Sequence, residues 1–114
     1  MTTTVEHIAK TMYREFAREP ESCIEMAATH YEECLEEFSY PVLALTDKLV
    51  CLASELKQRV TEQPRKEQIY REMDKANKEL KTAMQARANI QAALDGVNML
   101  RSERIAQENL LRGL

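Results

Sequence analysis

The chain has 114 residues, enough for one domain with a single hydrophobic core. Charged residues make up 31% of it and aromatics 5%, with two Gly, three Pro and no Trp, too little turn chemistry for a many-stranded β-fold. The net charge of −3 argues against a protein that coats nucleic acid.

The rest of the composition favours helix, because Ala, Leu, Glu, Lys, Gln, Arg and Met dominate. At the N-terminus, Thr3 and Glu6 have the spacing of a capping box, and Val5, Ile8, Ala9, Met12 and Phe16 recur on one helical face. These signals predict a short amphipathic helix over residues 4–18, ended by Pro20. No basic stretch leads into an apolar one here, so no secretory signal is expected.

The next segment carries the clearest pattern. Ile24, Ala28, Tyr31, Leu35, Phe38, Val42, Leu45, Leu49, Leu52 and Leu56 alternate steps of four and three without a slip. This is the a/d seam of a heptad repeat, the pattern that drives helices to pair. The phase runs through Pro41, which a true turn would have no reason to preserve. One long helix over 20–62, kinked at Pro41, is therefore predicted.

Thr61 to Pro64 read as the reversal, with Pro64 placed to open the next helix. A second seam follows in Ile69, Met73, Ala76, Leu80, Ala83, Arg87, Ile90, Leu94 and Val97, with Arg87 its one charged member. It predicts a helix over 65–112, with a hinge or register change at Gly96, since glycine inside a helix costs about 1 kcal/mol relative to alanine. Two long helices joined by so short a loop must run antiparallel.

Pivoting the hairpin near the loop pairs residues whose numbers sum to about 126, which sets Leu56 near Ile69, Leu45 near Leu80 and Tyr31 near Leu94. The alanines Ala83, Ala86, Ala88, Ala92 and Ala93 then oppose the bulky segment of Tyr31, Phe38, Tyr40 and Pro41. Charge agrees: residues 1–50 carry 10 acidic and 4 basic side chains, whereas residues 51–114 carry 9 acidic and 12 basic. Arg87 is placed as a candidate partner for Glu36 or Glu37. The expected fold is all-α: an elongated, coiled-coil-like antiparallel hairpin forming a single unit, with the short first helix packed at its base.

Little in the sequence suggests chemistry. His30 and Cys34 lie four apart, half of a zinc site at most, and zinc takes four ligands. The acidic run Glu32, Glu33, Glu36 and Glu37 falls at solvated heptad positions, whereas acid–base work calls for buried carboxylates. No Gly-rich phosphate loop or hydrolase motif occurs. No catalytic residue, cofactor or metal is expected, and the chain is read as a non-enzyme. Basic residues around the loop, such as Lys57, Arg65, Lys66 and Arg71, are interleaved with Glu62, Glu67 and Glu72, so nucleic-acid binding is the secondary reading.

No apolar run approaches the ~18–20 residues of a membrane span, so no membrane insertion is expected. Cys23, Cys34 and Cys51 are odd in number and lack CxxC spacing, which points to reduced thiols in the cytoplasm or nucleus. Two seams in a two-helix hairpin leave apolar residues uncovered, and uncovered stripes mark interfaces. Val50, Ala53, Val60, Met84, Met99, Leu100 and Ile105 are the candidate contacts, and Tyr70 also lies off the second seam. The expected role is that of a protein–protein interaction subunit in a multi-protein helical assembly, binding other helical proteins as a hetero-oligomer. A homodimeric coiled-coil scaffold is the alternative.

Overall fold

A computed structural model describes residues 4–58 and 62–113. The described residues form three α-helices: α1 (Thr4–Phe16), α2 (Glu21–Leu56) and α3 (Gln63–Arg112). The all-α fold expected from the sequence is present, with α2 and α3 packed as an antiparallel hairpin and α1 packed on α3. Two compact units make up the fold: Met1–Glu36 with Arg87–Leu114, and Glu37–Ala86.

Helix boundaries follow backbone chemistry. α1 closes two residues earlier than expected, in a turn where the Glu19 amide donates to the Phe16 carbonyl at 3.0 Å. The Pro20 carbonyl then accepts from the amides of Cys23 and Ile24 at 3.0 and 3.3 Å, so Pro20 sits at the mouth of α2. There its missing N–H costs nothing. The capping residue Thr3 lies outside the described residues.

α2 is continuous through Pro41. It ends at Leu56 rather than at 62, and α3 begins at Gln63 with Pro64 in its first turn. The loop is therefore longer than Thr61 to Pro64. Its closure is lateral: the Arg65 guanidinium grips the Glu55 carboxylate with two parallel hydrogen bonds of 2.7 Å each, and Glu72 lies 3.9 Å away. That fork geometry favours turning back at Leu56 over extending α2.

In the first unit, Ile24, Ala28, Leu94, Val97 and Leu100 form the buried core. Met12, Tyr13 and Phe16 of α1 and Tyr31 and Leu35 of α2 pack against it. The expected register holds here: Arg101 makes two 2.9 Å hydrogen bonds to Glu25, whose number complements it. Arg104 donates to the Ala17 carbonyl at 2.9 Å and so satisfies an orphan carbonyl just beyond the end of α1. Tyr13 donates its hydroxyl to the Glu103 carboxylate.

Gly96 does not interrupt α3. It is buried because the backbone of α1 passes directly over it: a Cβ at this position would lie 2.2 Å from the Ala9 carbonyl oxygen. Contact, not a hinge, explains the glycine.

In the second unit, Leu52, Ile69 and Ala76 are buried, while Phe38, Val42, Leu45, Leu49, Leu56, Met73, Leu80 and Ala83 are half-buried. Thus every seam residue of this unit is at least partly covered. Arg87, in the first unit, is exposed and makes no ion pair with Glu36 among the described residues. Its long side chain leaves the seam for water, which the expected pairing did not anticipate.

Candidate interaction surface

The surface is built from the heptad positions that flank each seam. With the seam residues at a and d, the flanking positions are e and g, and b and c lie one step further out. In an antiparallel pair the e positions of both helices share one face and the g positions share the other. Arg65 and Glu55 are both g residues and bond to each other, as this rule requires. The e-side face of the second unit then carries Leu43, Val50 and Ala53 from α2 and Tyr70, Asn77 and Met84 from α3.

This face is largely open. Leu43 is 61% exposed, Val50 60%, Tyr70 59% and Met84 54%; Asn77 is exposed and Ala53 is half-buried. The second unit contains no part of α1, so among the described residues only two helical segments build it. Isolated exposed apolar residues are ordinary, but four large ones aligned along one face are not. Asn77 is the one amide set among them.

Three of the residues singled out in the sequence, Val50, Ala53 and Met84, belong to this face. Val60 lies outside the described residues. Met99 and Ile105, each 56% exposed, belong to the first unit. Met99 borders a 290 Å³ recess with Ala9, Lys10, Tyr13 and Arg14. Leu100 must be corrected: it is 5% exposed and part of the first unit's core, because α1 covers the g side of α3 there. Tyr70, which the sequence sets off the second seam, belongs to this face as well, whereas Leu43 is missing from the sequence-derived contacts although its heptad letter, b, was available. Met26, Tyr40, Leu110 and Leu111 are also exposed, at 67–72%.

The g side of the second unit differs. Phe38, Pro41 and Leu45 face Lys78, Thr82, Ala83 and Ala86 across an open groove of about 450 Å³. Alanines opposite a proline-bearing turn leave this space. Ala83 and Ala86 thus open a shallow notch, whereas Ala92 and Ala93 are buried in the first unit.

The electrostatics are those of surface contacts. Hydrogen bonds from Arg65 hold the Glu55 carboxyl below its usual range, while Glu55 in turn raises the Arg65 guanidinium. The hydrogen bond to Glu103 raises the Tyr13 phenol. His30 Nε2 and Cys34 Sγ stand 3.7 Å apart, as their spacing implied, and the imidazole is tilted against the Tyr31 ring. No group of three His, Cys, Asp or Glu side chains able to hold a metal ion occurs among the described residues. No described helix is long and apolar enough to cross a membrane.

No known protein family, curated protein or solved structure matches this chain.

Proposed function

We propose that this protein is a non-catalytic interaction subunit of a multi-protein helical assembly, and that it receives partner helices along its exposed apolar stripes. The observation that carries this reading is the open face of Leu43, Val50, Tyr70 and Met84 beside a seam whose residues are all at least partly covered. The seam residues of the second unit are buried or half-buried within the chain, whereas each of these four stripe residues is more than half exposed. A helix laid along such a stripe completes the bundle that two helices leave open. The exposed Met26, Met99 and Ile105 of the first unit offer further contacts to other subunits. A reducing compartment fits the three free cysteines.

The test is a native affinity purification of the tagged chain from its source cells, run in parallel with a Val50→Asp/Met84→Glu variant. Companions at near-equal ratio to the wild-type chain that are lost with the folded variant support the reading. The same companions with both chains would contradict it.

A further inference from the structure

The open face of the second unit is patterned so that it complements itself. On α3, Tyr70, Asn77 and Met84 are spaced by seven residues, an aromatic ring and a thioether on either side of one amide. Asp74 and Lys81 flank this row at b positions, three residues before Asn77 and four after it. Both are exposed, and Asp74 also meets Lys78 at 3.1 Å.

A twofold axis that lies in this face and crosses α3 at Asn77 turns the row onto itself. Tyr70 then meets the partner's Met84, a favourable sulfur–aromatic pairing. Asn77 meets the partner's Asn77, where each amide N–H can donate to the other's carbonyl oxygen. One such amide in an apolar row weakens a generic contact but fixes the register in which the two amides meet. Asp74 comes opposite the partner's Lys81, and the symmetry makes this contact twice. By the hairpin register the same axis crosses α2 near Lys48. Leu43 there falls opposite the partner's Ala53, large against small. A single axis therefore reconciles apolar size, amide pairing and charge sign across both helices. That is the property an isologous interface must have.

We infer that the second unit pairs with a second copy of this chain through this face, giving an antiparallel four-helix bundle. The inference rests on the reading that the stripe is an interface, and it names the occupant. The row from Tyr70 to Met84 is about 21 Å long and the hairpin about 20 Å wide, a footprint of roughly 400 Å² per copy. Stable dimers bury about 800 Å² per partner, so this pair is a weak, reversible one.

The experiment is sedimentation equilibrium of the full chain across low- to high-micromolar concentration, with charge exchanges at the rim. Asp74→Lys and Lys81→Asp each weaken the dimer about tenfold, because two attractive contacts become repulsive. The double exchange restores it, and mixing the two single variants yields a heterodimer tighter than either homodimer. Circular dichroism confirms that each variant keeps its helix content. As a register check, Asn77→Cys in a background lacking Cys23, Cys34 and Cys51 cross-links to a dimer under mild oxidation, whereas Gln85→Cys does not. A wild-type chain that stays monomeric throughout overturns the inference. If Val50→Asp/Met84→Glu still abolishes companion binding, the stripe remains an interface for another protein. If that variant is silent as well, both readings fall.

Discussion

Gly96 and Ala9 show how one residue can set the path of a helix. With the Ala9 carbonyl where a Cβ would stand, α1 can approach α3 only over a glycine. A hinge glycine replaced by alanine would stabilise its helix by about 1 kcal/mol. Here Gly96→Ala instead lowers stability by about 1–3 kcal/mol, because backbone must move to admit the methyl group. Chemical denaturation reads the sign directly. In the second unit, the Glu55 carboxyl is held below its usual range by hydrogen bonds from Arg65. Its contribution is present above the ordinary carboxyl pKa and is lost as pH falls through the depressed folded value. An NMR titration should place the Glu55 midpoint below that of an unpaired glutamate, and Arg65→Gln should return it to the ordinary range. Neither role could be read from sequence. The Gly96 contact depends on where α1 runs, and the Glu55–Arg65 clamp depends on how far α2 extends.

At the scale of elements, α2 keeps its register through Pro41 because the seam on both sides holds it. The proline still removes one backbone hydrogen bond, so the Glu37 carbonyl loses its usual helical donor. Pro41→Ala restores that donor and should raise the thermal midpoint, with a gain of about 1–3 kcal/mol. No gain would mean that the local backbone has already found another donor. The two seams were legible in the sequence because an unbroken alternation of four and three has few other physical explanations. The end of α2 was not, since helix propensity continues past Leu56 and only the lateral grip of Arg65 on Glu55 favours the earlier turn. Leu100 was misplaced for a related reason. It is a g residue, and g residues are surface in a two-helix pair but core where α1 adds a third helix.

At the scale of the whole molecule, the division between seam and stripe organises the account. The seam residues of the second unit hold it together, while Leu43, Val50, Tyr70 and Met84 lie on its outside. Much of this exterior face was legible from sequence, as Val50, Ala53, Tyr70 and Met84. The rest emerged only when the antiparallel register showed which flanks of the two helices share a side. The most direct test uses two neighbours in the chain, Leu49 in the seam and Val50 on the stripe. Far-ultraviolet circular dichroism of Leu49→Asp and Val50→Asp, at equal dilute concentration, should show helix content lost in the first and retained in the second. Equal collapse of both would contradict the account, because it would mean that the stripe belongs to the core.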